Sequence, residues 1–451
     1  MAPVTLLQPP ILEVIDLTFR HSTTSQPTLI DVNLSVNAGE LVLIAGATGS
    51  GKSTLLNCIA GIAPNHTGGT LSGSILYQGK EVGQQSVRQR SQFFCTLLQN
   101  VELQIFTDQV WEEIVFGLEN WQVSPQQIPE MAMAALSEFG LAAQQHCSIQ
   151  QLSAGQKQRL LLASLLILEQ PVLLLDEPLA YLDASGVEQL LRLLRSRVDR
   201  GQTVILVEHR IDRVQSICDR TFLVQKGKLS EQPLEPIPPK VYPTIQPQSA
   251  SSILLQTQQL SWNDYPPFPD LQVHAGETVL LKGDNGCGKT TLLKLLSGLL
   301  KPTTGQLEIL GKEMSQRSVV QIAAVVGFVL QNPNHQLFAD SVRSEILQPG
   351  VISKRADMLL EQLSLQAFSE QHPQSLSQGQ KRRLALAAVL ARQPQICLLD
   401  EITVGQDPHS LSLMLQVLQQ FTQQGGALIL TSHDPITAVA LHARQIELST
   451  R

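Results

Sequence analysis

One glycine-rich pattern occurs twice, and the chain around it repeats with it. Gly46-Ala47-Thr48-Gly49-Ser50-Gly51-Lys52-Ser53-Thr54 and Gly283-Asp284-Asn285-Gly286-Cys287-Gly288-Lys289-Thr290-Thr291 both read G-x-x-x-x-G-K-[ST]. Each follows an apolar run, and the first opens a helix-like segment over 53–60. Strand, glycine-rich loop and helix together are the context a phosphate-binding loop requires. The glycines let consecutive N–H groups turn inward, and the helix N-terminus adds donors and partial positive charge. Lys52 and Lys289 suit the outer phosphates, and the Ser53 and Thr290 hydroxyls suit Mg²⁺.

Further landmarks return with the loop. Leu152-Ser153-Ala-Gly155-Gln156 becomes Leu376-Ser377-Gln-Gly379-Gln380, Leu-Leu-Asp176-Glu177 becomes Leu-Leu-Asp400-Glu401, and Glu-His209 becomes Ser-His433. These three pairs are each 224 residues apart, while Lys52 and Lys289 are 237 apart. The first copy thus carries 13 more residues between loop and LSxGQ. A repeat of this length is a duplicated domain.

Length agrees, since 451 residues exceed one ordinary core. A net charge of −7 argues against a general nucleic-acid binder. The six cysteines form no C-x-x-C pair, which suits reduced thiols in a cytosolic protein. No uncharged apolar run is long enough to span a bilayer, and the first ten residues lack the basic start and apolar core of a signal peptide. Any membrane spans are expected from another chain.

Strands are expected over 11–19, 29–36, 41–45, 73–77 and 93–98, then helices over 108–146 broken at Ser124-Pro125 and near Ile128-Pro129. A helix from about 153, a buried strand over 171–176, a helix near 185–200 and a strand over 203–207 follow. Alternating strands and helices predict an α/β fold with a parallel sheet covered on both faces. Residues 231–252 are proline-rich with a Ser/Gln tail, reading as an extended linker or as an irregular extension of the first half. The expected division is a tail over 1–10, a first domain over 11–230, the linker over 231–252 and a second domain over 253–451.

Asp176 and Asp400 close apolar strands, where a carboxylate can hold Mg²⁺. The adjacent Glu177 and Glu401 would polarise the attacking water. Gln99 and Gln331 end strands and can reach the metal through their amide oxygens. His209 and His433 could bond the γ-phosphate; a lone histidine there would read as structural, but its recurrence at one offset argues for the site. Ser153, Gly155 and Gln156, like Ser377, Gly379 and Gln380, open helices and present donors to an anion. Each half already owns a phosphate loop, so the economical arrangement has the LSxGQ of one half complete the site of the other.

Together these motifs resemble the ATP-binding-cassette (ABC) ATPases over nearly the whole chain. The resemblance implies two RecA-like P-loop NTPase domains, each with a mostly parallel core, an antiparallel strand subdomain and a helical subdomain. It implies a head-to-tail pseudo-dimer binding two ATP with Mg²⁺. One site would join Lys52, Ser53, Gln99, Asp176, Glu177 and His209 to Ser377 and Gly379. The other would join Lys289, Thr290, Gln331, Asp400, Glu401 and His433 to Ser153 and Gly155. Tyr181-Leu-Asp183 and Gly405-Gln-Asp407 look like the loops that cross between sites.

A narrower resemblance, to the energy-coupling-factor (ECF) importers of vitamins and transition metals, lies in Gln99–Phe106, Phe116–Asn120 and Gln331–Asp340. It implies that these segments, with Gln104 and Gln336, contact an integral membrane coupling subunit accompanied by a substrate-binding membrane subunit. It also implies a cytoplasmic protein peripheral on the inner face of the membrane, without nucleic acid. Two departures stand out: Ile402 replaces the proline after Asp-Glu, and Leu347-Gln-Pro-Gly350 replaces Phe-Gly-x-Glu-Asn in a shorter helical region. Near the place where the resemblance expects an adenine-stacking ring stand Phe19 or His21 in the first half and Trp262 or Tyr265 in the second, which read equally as ordinary strand residues. The alternatives are a soluble tandem ABC ATPase acting on ribosomes or nucleic acid, for which the linker is too short and too nearly uncharged, and the ATPase pair of another ABC transporter.

Overall fold

The structure is a computed structural model that describes residues 9–22, 24–182, 184–208, 211–233, 252–263, 266–284, 286–314, 317–432 and 434–448. The chain divides into two compact units, Met1–Ile237 and Pro238–Arg451.

In the first unit the strands are β1 (Leu12–Arg20), β2 (Leu29–Val36), β3 (Leu41–Ala45), β4 (Thr70–Tyr77), β5 (Lys80–Glu81), β6 (Phe94–Leu97), β7 (Val172–Asp176), β8 (Thr203–Val207), β9 (Arg220–Gln225) and β10 (Lys228–Glu231). The helices are α1 (Lys52–Ala60), α2 (Val87–Arg90), α3 (Val110–Asn120), α4 (Ile128–Glu138), α5 (Ala154–Leu166), α6 (Ala184–Asp199) and α7 (Ile211–Val214). Among the described residues, one sheet runs β10-β9-β3-β8-β7-β6, parallel except for the β9–β10 hairpin. The other, β2-β1-β4-β5, is antiparallel.

Successive strand residues face opposite sides, and here both sides are dry. Leu41, Leu43, Leu173, Leu175 and Leu206 pack against α3 to α6. Val42, Ile44, Leu174 and Ile205 pack against α1 and the antiparallel sheet. That is why these strands read as unbroken apolar runs. The break expected near Ile128-Pro129 is the start of α4, and Pro129 sits in its first turn, where its missing N–H costs nothing.

The second unit repeats the plan with β11 (Ile253–Ser261), β12 (Gln272–His274), β13 (Thr278–Lys282), β14 (Thr304–Ile309), β15 (Lys312–Glu313), β16 (Val326–Val329), β17 (Ile396–Asp400), β18 (Ala427–Thr431) and β19 (Arg444–Glu447). Its helices are α8 (Lys289–Leu296), α9 (Val319–Ala323), α10 (Val342–Ile346), α11 (Ser353–Gln362), α12 (Gln378–Ala391), α13 (Pro408–Gln423) and α14 (Pro435–Ala440). A parallel sheet, β16-β17-β18-β13-β19, lies beside an antiparallel one, β12-β11-β14-β15. Where α3 has 11 residues, α10 has five, so the second helical region is the shorter. No described helix is long and apolar enough to cross a membrane.

Candidate functional site

Both glycine-rich loops connect a buried parallel strand to a helix, β3 to α1 and β13 to α8. Their first glycines are forced by space. A Cβ on Gly46 would lie 2.4 Å from the Val224 carbonyl oxygen, and one on Gly283 would lie 2.3 Å from that of Leu448. Lys52 is buried, and its Nζ donates to the Gly46 and Ala47 carbonyls at 2.8 and 3.0 Å. Lys289 does the same with Gly283 and Asp284 at 2.6 and 3.1 Å. Each ammonium thus lies across its own loop.

The strand-end carboxylates stand beside these helices. Asp400 accepts from Thr290 Oγ1 and from Thr431 Oγ1, both at 2.8 Å. Burial pushes its carboxyl above the usual aspartate range, against the opposing pull of those hydroxyls and of Lys289 and Lys294. Glu177 and Glu401 are buried and take left-handed backbone, φ 53° and 51°. This conformation is strained for a non-glycine residue, and such strain gathers at functional sites. The Glu177 N–H donates to the Val207 carbonyl and the Glu401 N–H to Thr431 Oγ1, each at 2.9 Å. Gln99 donates through Nε2 to Glu177 Oε1 at 3.1 Å. The structure therefore joins Gln99 to Glu177 and Thr290 to Asp400. Gln331 is half-buried just beyond β16. His209, His433, Asn285 and Asp183 lie outside the described residues.

Ser153 and Ser377 cap α5 and α12 with matching capping boxes. Each serine Oγ accepts the N–H of Gln156 or Gln380 at 3.3 Å, and each glutamine Oε1 accepts the serine N–H, at 2.9 and 2.8 Å. The two glutamines thus order the helix start from within.

The family model described as ABC transporter matches residues 29–180 and 269–404. The chain belongs to the ABC transporter family. It is an ATPase of that family, with two tandem ABC domains. A Methanosarcina mazei protein provisionally named an ABC transporter ATP-binding protein is 32% identical to it, over 97% of this chain and 87% of that protein. A chain of ribosome-bound archaeal Pelota and ABCE1 shares the fold, at 20% identity and TM-score 0.68 over 94% of this chain and 74% of that one. The Clostridium perfringens protein cbiO1, part of the ABC transporter complex cbiONQ, is 30% identical over 49% of this chain and 87% of its own, with a TM-score of 0.43.

ABC ATPases use ATP with Mg²⁺, and the residues here fit both. The loop cradles admit no Cβ at Gly46 and Gly283, and Thr290 with Asp400 offers the hard oxygen donors Mg²⁺ prefers. The bound ion would neutralise charge developing on the γ-phosphate.

Of the stacking candidates, Phe19 is fully buried in the core, its ring perpendicular to that of His21 with centroids 4.8 Å apart, and that burial leaves no face for adenine. His21 and Trp262 are half-buried; Tyr265 lies outside the described residues.

The segments after Gln99 and Gln331 are built alike. Gln104 turns inward, donating to the Thr96 carbonyl at 3.0 Å and accepting the Leu98 N–H at 2.7 Å. Gln336 accepts the Leu330 N–H at 2.7 Å. The second glutamine of each segment is therefore engaged with its own strand end rather than presented outward. The next residues hang on buried carboxylates that the motifs alone do not single out. Glu113 Oε2 accepts the Phe106 and Thr107 N–H groups at 3.0 and 2.9 Å. Glu345 Oε2 accepts those of Phe338 and Ala339, both at 2.8 Å. Phe106 and Phe338 are left 71% and 80% exposed. A signal for them exists in the sequence: Glu113 and Glu345 are 232 residues apart, as are Gln99 and Gln331.

Proposed function

We propose that this ABC ATPase is the energy-supplying subunit of an ECF-type importer, driving uptake of a vitamin or transition-metal ion through partner membrane subunits. The supporting observation is the pair of matched loops that hold Phe106 and Phe338 out to solvent on buried glutamates. Exposed aromatics held on rigid, internally satisfied turns are what a partner's helices can grip. In the first unit Phe106 also stacks on Phe116, 5.5 Å between centroids, widening the apolar face. The protein then sits on the inner face of the cell membrane, in contact with an integral coupling subunit and a substrate-binding subunit.

The two ATP sites are head to tail. Lys52, Ser53, Asp176, Glu177, Gln99 and His209 form one with Ser377 and Gly379; Lys289, Thr290, Asp400, Glu401, Gln331 and His433 form the other with Ser153 and Gly155. The lysines leave their loop carbonyls for the outer phosphates. Glu177 and Glu401 take the proton of the attacking water, and His209 and His433 bond the γ-phosphate. This rests on the motifs and on the family's use of paired domains.

Purification of the full chain from detergent extracts tests the transport role. The expected result is an integral membrane protein that co-purifies with the parent chain and is lost with Phe106→Glu and Phe338→Glu. Retention of the partner by both variants refutes the docking role, and recovery of ribosomes instead refutes the importer reading.

A further inference from the structure

Lys381 is only 7% exposed, yet it makes its polar contacts at two places in the second unit. Its Nζ donates to Asn334 Oδ1 at 2.8 Å and to Gln374 Oε1 at 2.9 Å. Burial pulls its ammonium below the usual lysine range. Gln374 lies in the turn Pro373–Ser375 just before Ser377, and Asn334 lies in the turn Pro333–His335 just before Gln336. Lys381 itself stands four residues after Ser377 on α12, one turn further along the same face.

A short chain of contacts therefore runs across the unit. Ser377 is locked to the start of α12 by its capping box with Gln380. Lys381 joins that helix start to Asn334. The Asn334 side chain and N–H are both tied to Asn332 Oδ1, at 3.1 and 3.0 Å. Gln336 pins the following residue run to Leu330, and Phe338 projects beyond it. Neutral amides bond an ammonium more weakly than a carboxylate would, so the junction can yield without breaking an ion pair. In the first unit the corresponding positions are Lys157, Glu102 and Gln150, with an acid in place of Asn334.

We infer that Lys381 is the positioning residue through which the nucleotide-dependent state of the Ser377 helix start reaches the 333–338 segment and its exposed Phe338. The inference rests on the reading that LSxGQ meets nucleotide, and it names the contact that carries the signal outward. Shape alone does not require a lysine here: a purely structural role is equally served by an apolar side chain filling the same volume.

Hydrogen–deuterium exchange on the full chain separates the two roles. The background is Glu177→Gln with Glu401→Gln, chosen to keep ATP unhydrolysed, and exchange is compared without nucleotide and with ATP and Mg²⁺. The expected result is that ATP slows exchange both across α1, whose Lys52 shares the site of Ser377, and across 331–338. Lys381→Met, and separately Asn334→Ala, should retain the slowing across α1 and lose it across 331–338. If both variants keep the ATP-dependent slowing across 331–338, the inference is overturned, even where basal exchange there has risen. Slowing across α1 but not across 331–338 in the background chain overturns it alone. No slowing in either region overturns it together with the nucleotide reading.

Discussion

Glu208 Oε1 accepts the backbone N–H of Leu179 at 2.8 Å, and both residues are buried. In the second unit the equivalent places hold a hydroxyl pair, Thr403 and Ser432, 2.9 Å apart. Leu179 and Thr403, like Glu208 and Ser432, are 224 residues apart. Both contacts tie the residue before a candidate histidine to the loop leaving a candidate glutamate. Glu208→Ser takes that acceptor away from a buried N–H, at a cost of about 1–3 kcal/mol. Adding Leu179→Thr rebuilds the hydroxyl pair. With Glu401→Gln as background, ATP turnover should fall in the single variant and recover in the pair, and urea midpoints should follow. A double variant whose losses simply add would show that the two positions are not coupled.

Arg90 is fully buried and donates to the carbonyls of Cys58, Ile59, Gly83 and Gln85. Burial lowers its pKa, yet the guanidinium satisfies the last carbonyls of α1, where a cation also suits the helix dipole. The second unit has Ile322 at this position, packed where a Cβ on Gly298 would fall. Arg90→Ile copies the second unit's apolar choice without its surroundings. It should destabilise the first unit by on the order of 3 kcal/mol, because several buried carbonyls lose charged donors. Thermal unfolding followed by calorimetry checks this; an unchanged transition would mean water replaces the guanidinium at no cost.

The fold was legible where burial on both faces left a pattern. β3, β7 and β8, with β13, β17 and β18, read as apolar runs because they have no wet side. β9 escaped because its apolar residues are mixed with Arg220, which reaches Glu231 at 2.7 Å and Glu40 at 3.4 Å across the sheet edge. Within the site, recurrence was the usable signal, and it favoured residues that both units share. Glu113 and Glu345 recur, but a glutamate on a short helix reads as a solvated acid until its backbone partners are seen. Glu208 and Thr431 were beyond reach, since each unit solves the same local problem with a different residue. Thr431 bonds Asp400 and the Glu401 N–H, whereas Val207 offers the Glu177 N–H only a carbonyl.

Acid should weaken the second unit partly through Glu277. Burial pushes its carboxyl up, but Arg444 at 2.6 Å and the His274 N–H at 2.8 Å outweigh this and hold it below the usual glutamate range. A depressed folded-state pKa contributes stability above the unfolded value, about 4.3, and loses it as pH falls through the folded value. Glu277→Gln should therefore lower the urea midpoint at neutral pH and differ less from the parent as the solution is acidified. An equal difference at all pH values would remove the charge from the explanation.

Hydrolysis itself tests the pair Glu177 and Glu401. Each is buried, each takes left-handed backbone at a strand end, and Gln99 already touches Glu177. Replacing a carboxylate by its amide keeps shape and one acceptor oxygen but removes the base, which contributes on the order of 10²–10⁴ in rate. The double variant, Glu177→Gln with Glu401→Gln, should lose turnover on that scale while still retaining ATP on a filter. The single variants then read the share of each site. The threonine of the second unit makes inequality the expected outcome, because Thr431 holds Asp400 and the Glu401 backbone in place through one hydroxyl. Thr431→Val gives that site the first unit's residue and should lower the turnover remaining in Glu177→Gln. If Glu177→Gln and Glu401→Gln both turn over ATP at the parent rate, neither carboxylate is the base.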